Sequence, residues 1–199
     1  LNVPFLNLRA QYHEIRDEIR AALDDILERA AFIAGKYVER LEREFREAID
    51  VRHCLATSSG TDALHLATWA LGLGPGDEVL VPVNTFIATA EVVSFTGARP
   101  VFVDHDPLTY NVDVEKLEDS ITSRTRAIIP VHLYGQPADM ESIAGIARQN
   151  DLVVIEDACQ AHLARFRGTT VGNFGVAAAF SFFPGKNLGA YGDAGAVVT

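Results

Sequence analysis

Short, nearly unbroken apolar runs alternating with amphipathic segments set the tightest limit on how this chain can fold. The runs fall at 78–81, 101–103, 127–131, 152–155, 176–182 and 195–199. A strand with one wet face alternates polar and apolar residues; a strand apolar throughout is covered on both faces. Between the runs lie segments with helical spacing. Residues 9–29 place Ile15, Ile19, Leu23, Ile26 and Leu27 on one stripe, and 38–49 do the same with Val38, Leu41, Phe45 and Ala48. Further helices are expected at 62–71, about 86–95, 113–121 and 139–149. Gly97 suits a C-terminal cap and Asp139 an N-cap. Gly74-Pro75-Gly76-Asp77 marks a turn. The expectation is an α/β fold: a mainly parallel, mixed central sheet with helices on both faces.

Composition narrows the class. With 199 residues the chain suffices for one α/β domain with a real core. Its formal net charge of -10, with no Lys/Arg run, argues against nucleic-acid binding. No apolar run reaches membrane-spanning length, and no basic-then-apolar leader precedes the first helix. Cys54 and Cys159 stand far apart and form no metal-ligand spacing, so no metal site is expected. Two separate free thiols suit a reducing compartment, and a cytoplasmic protein is expected.

In open α/β sheets ligands sit beyond the carboxyl ends of the strands, and four stretches occupy such places. Thr57-Ser58-Ser59-Gly60-Thr61-Asp62 opens a helix. Free N–H groups there, with Gly60 allowing close approach, make either an anion site or an ordinary N-cap. The run 153–155 delivers Asp157, a carboxylate able to hold a protonated pyridine nitrogen, and Gln160 follows as a donor to a ring oxygen. Ser181-Phe182-Phe183-Pro184-Gly185-Lys186 ends in a loop lysine able to form a Schiff base with an aldehyde, with Ser181 as a phosphate hydroxyl. Asn84-Thr85-Phe86-Ile87-Ala88-Thr89 offers Phe86 to stack on a flat heterocycle. Each has a plain alternative: a cap, a turn, a solvated lysine, a core phenylalanine.

Taken in order, these stretches resemble the DegT/StrS family of nucleotide-sugar aminotransferases. The likeness extends to Pro4-Phe5-Leu6-Asn7-Leu8, Gly74-Pro75-Gly76-Asp77-Glu78-Val79, Pro130-Val131-His132-Leu133-Tyr134-Gly135-Gln136 and Gly192-Asp193-Ala194-Gly195-Ala196. The resemblance implies an aspartate-aminotransferase-like large domain binding pyridoxal 5′-phosphate (PLP). Lys186 would be the Schiff-base lysine and Asp157 the partner of the pyridine nitrogen. Gln160 would lie near the ring hydroxyl and Phe86 over the ring. Ser59, Gly60, Thr61 and Ser181 would cradle the phosphate. His162 either contacts substrate, orients Gln160 or is a structural histidine at a strand-end turn. Residues 1–50 would be a helical segment packing on a PLP-binding domain of 51–199. Members are about twice as long, so a C-terminal small domain is expected to be missing here.

The implied substrates are an amino donor, glutamate or glutamine, and a keto sugar, in a homodimer with shared sites. A cyclitol acceptor and a non-catalytic PLP-binding homologue are the alternatives. Relatives that dehydrate deoxysugars carry His at the Schiff-base position, and Lys186 argues against that chemistry. Two positions depart from the family pattern: Leu163 and Ala194 stand where many members have Gly.

Overall fold

The computed structural model describes residues 3–199. Two helices lead, α1 (Leu8–Glu28) and α2 (Lys36–Ile49). There follow β1 (Cys54–Thr57), α3 (Gly60–Ala70), β2 (Glu78–Pro82), α4 (Ala88–Phe95), β3 (Arg99–Val103), α5 (Val114–Asp119) and β4 (Thr125–Ile128). A 3₁₀ turn at Leu133–Gly135 leads to α6 (Met140–Gln149) and β5 (Val153–Asp157). The small hairpin β6 (Arg165–Phe166) and β7 (Thr169–Thr170) precedes β8 (Ala177–Ser181) and β9 (Gly195–Val198).

Seven strands form one sheet in the order β1-β9-β8-β5-β4-β2-β3. β9 runs antiparallel to both neighbours, and the pairings from β8 to β3 are parallel. The sheet is therefore mixed and mainly parallel, as its apolar runs require. β2 and β8 are buried at every residue.

Alternation along the strands sorts the core into layers. Val79, Val81, Ala127, Ile129, Ile155, Ala177 and Ala179 point to one face and pack with Ala63, Leu64 and Ala67 of α3 and Val92 and Val93 of α4. Leu80, Ile128 and Val154 point the other way, against Leu117 of α5 and Met140, Ile143 and Ile146 of α6. Further along that second face, Ala178, Phe180, Ala196 and Val198 meet Phe45 and Ile49 of α2. The helices thus cover both faces. α1 differs: no residue of it is buried, and Leu23 and Leu27 lie exposed.

The caps follow the sequence. Asp139 accepts from Ser142 N–H at 3.3 Å and starts α6. Gly97 follows α4 with a φ of 85°. Two elements carry weaker signals. β1 is four residues long with Leu55 exposed, and it takes its place by pairing with β9 at the sheet edge. The β6–β7 hairpin turns through Arg167 and Gly168, both at positive φ, as a two-residue turn of this hand demands. Only the glycine announces it.

Candidate active site

The topology brings one set of chain ends together. β1, β5 and β8 finish at the same edge of the sheet where antiparallel β9 begins, so Thr57 and Ser181 both pair with Gly195. That edge holds a cavity of about 370 Å³. Its walls include Ser59, Gly60, Thr61, Phe86, Asp157, Gln160, Ser181 and Lys186. All eight residues expected to hold the cofactor thus face one space, drawn from four separate stretches of chain.

The helix start is built for close approach. Ser59 caps α3, its Oγ accepting from Asp62 N–H at 3.0 Å, so its hydroxyl is already engaged. The N–H groups of Gly60 and Thr61 come next and find no backbone partner among the described residues. A Cβ at position 60 would lie 2.7 Å from both Cys159 Sγ and Ser181 Cβ. Only glycine fits, and it lets a ligand reach the helix N-terminus. Two bare N–H groups at the positive end of a helix, beside the Ser181 hydroxyl, suit a phosphate. This cradle fits the phosphate of PLP.

Asp157 is buried at the end of β5. Its Oδ2 accepts from Thr89 Oγ1 at 2.7 Å and its Oδ1 from Cys159 N–H at 3.2 Å. Gln160 is oriented by the backbone: its Oε1 accepts from Tyr134 N–H at 2.9 Å, which leaves the amide NH₂ free to donate. Phe86 is 67% exposed, with its ring at the cavity wall. The chain has three lysines. Lys36 pairs with Asp25 at 2.7 Å and Lys116 with Asp104 at 2.8 Å. Lys186 makes no ion pair among the described residues and stands at the cavity. Cys159 forms part of the wall, and burial pushes its thiol well up, so it is an unreactive neighbour.

His162 stands apart from the others. It is not at the cavity wall. Its Nε2 lies 2.9 Å from Ser181 O, and its ring sits among Phe45, Phe180 and Phe182. Burial lowers its pKa and keeps the imidazole neutral. In this geometry His162 supports the Ser181 strand from behind, the structural role open to it from the sequence.

Sequence reasoning passed over Glu156, the neighbour of Asp157. It is fully buried on the opposite face of β5. Its carboxylate accepts from Gly172, Phe174 and Gly175 N–H, each at 2.8 Å, and pairs with His132 Nε2 at 3.0 Å. Burial opposes its ionised form, but His132 and the backbone donors outweigh it and hold the carboxyl below the ordinary range. His132 Nδ1 accepts from Ala138 N–H at 3.1 Å, so the proton lies on Nε2 and points at Glu156. The pair thus divides its labour: Glu156 ties the 172–175 loop to the sheet, and Asp157 serves the cavity. Thr85, Asp193 and Ala194 also line the cavity without having been singled out.

Residues 13–199 match the DegT/DnrJ/EryC1/StrS aminotransferase family. The chain belongs to that family. A UDP-N-acetyl-3-dehydro-alpha-D-glucosamine 3-aminotransferase of Acidithiobacillus ferrooxidans is 52% identical over 197 residues, 99% of this chain and 53% of the relative. A pleiotropic regulatory protein of Geobacillus stearothermophilus is 50% identical over 199 residues, 100% of this chain and 54% of the relative. Among solved structures, Streptomyces venezuelae DesV in complex with a ketimine intermediate superposes with a TM-score of 0.96 at 49% identity. That match covers 99% of this chain and 53% of DesV. The chain spans about half the length of the curated relatives it matches.

Leu163, one of the two expected departures from the family pattern, holds a φ of 60°, a left-handed conformation that leucine adopts at a cost.

Proposed function

We propose that the protein is a PLP-dependent aminotransferase. It moves an amino group from glutamate or glutamine to a keto sugar, nucleotide-linked as in the Acidithiobacillus relative, for deoxyaminosugar biosynthesis. The observation that carries the reading is the single cavity in which a lysine without a carboxylate partner among the described residues, a buried carboxylate and a glycine-opened helix start face one another.

PLP, when bound, supplies an electron sink for the charge that develops at the donor's α-carbon. The chain's own residues do the rest. Lys186 Nζ is the amine that joins the cofactor aldehyde. Freed from that bond, the same amine would be the base that takes and returns the proton at the donor's α-carbon. Asp157 holds the proton on the pyridine nitrogen. The N–H groups of Gly60 and Thr61, with the hydroxyls of Thr61 and Ser181, bind phosphate, while the Ser59 cap presents the helix start. Gln160 would donate its NH₂ to a ring oxygen, and Phe86 would stack on the ring. Donor and acceptor use the site in turn, so ping-pong kinetics follow.

A homodimer with shared sites is part of the proposal. Trp69 and Phe86, 68% and 67% exposed, together with the uncovered apolar residues of α1, support it. The cytoplasmic assignment rests on two free cysteines. Residues 1–50 are read as a helical segment on a cofactor domain of 51–199, supported by the packing of α2 on the sheet. The regulatory name of the Geobacillus relative favours a second reading, a PLP-binding regulator without turnover. The test is the visible spectrum of the PLP-loaded full-length protein beside Lys186→Ala. A band bleached by glutamate in the parent, and never formed in the variant, is expected. A PLP band that no amino donor bleaches would favour the regulator.

A further inference from the structure

The 84–89 stretch carries two hydroxyls that the proposed function leaves unused. Thr89 lies in the first turn of α4 and is fully buried. Its Oγ1 is 2.7 Å from Asp157 Oδ2 and 2.8 Å from Thr85 Oγ1. An ionised carboxylate only accepts, and a hydroxyl has one proton to give. Thr89 therefore donates to Asp157, and Thr85 donates to Thr89. The chain of bonds has a direction, from the cavity wall at Thr85 inward to the carboxylate. On the other side Cys159 N–H holds Oδ1 at 3.2 Å. The two oxygens are thus gripped from separate elements, α4 and the turn after β5, and the plane of the carboxylate is fixed before any ligand arrives.

We propose that Thr89, with Thr85 behind it, is a positioning residue that sets the orientation of Asp157. A hydrogen bond donated to a carboxylate stabilises its charged form. With Thr89 in place Asp157 would face the pyridine nitrogen in one fixed orientation and keep the proton there. Without it the carboxylate is free to turn and holds that proton on the ring less well. Less positive charge on the ring then leaves the nitrogen linked to Lys186 more basic. The inference rests on the proposed role of Asp157 opposite the pyridine nitrogen.

The experiment uses the full-length protein with Thr89→Val, which removes the hydroxyl and keeps the shape, Thr89→Ser, which keeps the hydroxyl, and Thr85→Val. Two quantities are read besides turnover: the Kd of the apo-protein for PLP, and the pH midpoint of the visible band. Thr89→Val is expected to weaken PLP binding about tenfold, the lower end of what removal of an orienting partner costs a bound group, and to move the midpoint upward. Thr89→Ser is expected to restore both, and Thr85→Val to give a smaller change of the same sign. A Thr89→Val protein with the parent's Kd and midpoint overturns the proposal, whatever its melting temperature. If Thr89→Val does not fold, Thr85→Val decides: an unchanged midpoint overturns the proposal. A parent that takes up no PLP overturns the proposed function as well; normal uptake by the parent with parent-like variants overturns this inference alone.

Discussion

Replacing Glu156 with glutamine probes the buried anchor beneath the site. Each carboxylate oxygen of Glu156 takes two donors: Oε1 from Phe174 and Gly175, Oε2 from Gly172 and His132. Glutamine fits the same volume but replaces one oxygen with an NH₂. Whichever way it turns, that NH₂ faces two N–H donors it cannot accept from. Two hydrogen bonds to a charged group are lost, each of about 1.5–3 kcal/mol. Relief from burying a charge offsets part of this, leaving about 3 kcal/mol. For a protein of this size that lowers Tm by about 6–12 °C.

The effect depends on pH in a stated direction. The Glu156 carboxyl is held below its ordinary range in the fold. Its contribution is complete above the ordinary glutamate range and is lost as pH falls through its lower folded value. The assay is thermal melting of parent and variant between about pH 4 and about pH 7. The gap is expected to be widest near neutrality and to shrink toward the acid end. A variant as stable as the parent at pH 7, or a gap that widens on acidification, would refute the reasoning.

Gly60→Ala places a methyl 2.7 Å from Cys159 Sγ and Ser181 Cβ; overpacking of about 1–3 kcal/mol is expected to push the start of α3 outward, and PLP titration should show at least tenfold weaker binding. His162→Phe keeps the aromatic cluster and removes a histidine that burial holds neutral. Folding therefore resists its protonation, and acidification through the ordinary histidine range costs the parent stability. The variant should lose that part of the slope while kcat stays within a few-fold; a large rise in KM for either substrate would restore the substrate contact. Leu163→Gly relieves the left-handed backbone at a residue whose side chain is half exposed. Relief of about 1–2 kcal/mol is largely cancelled by the greater freedom of glycine in the unfolded chain, so melting should show a change smaller than about 1 kcal/mol; a loss beyond that would mean the side chain packs usefully.

The sheet was legible because parallel strands buried on both faces leave continuous apolar runs, as at 78–81 and 152–155. β1 was not, because an edge strand with Leu55 exposed and only four residues has too little pattern to stand out. Lys186, Asp157 and Gly60 were readable as residue types at strand ends, and the resemblance tied them together. Distance was not readable. Nothing in the spacing of Thr89 and Asp157, 68 residues apart, foretells a 2.7 Å hydrogen bond. Likewise His162 looks like a site residue only in one dimension. Its neighbours Phe45, Phe180 and Phe182 come from two other elements and the loop after β8, and that company makes it a supporting residue. Glu156 escaped notice because adjacent strand residues face opposite ways, a point the pair of acids does not reveal until the sheet is built.

Borohydride reduction of the PLP-loaded full-length protein, followed by peptide mass mapping, tests the central claim most directly. Reduction fixes the cofactor to whichever amine holds it. The account predicts the pyridoxyl group on the peptide containing Lys186, with Lys36 and Lys116 unmodified. Label on another lysine, or stoichiometric PLP binding with Lys186 unlabelled, would contradict it.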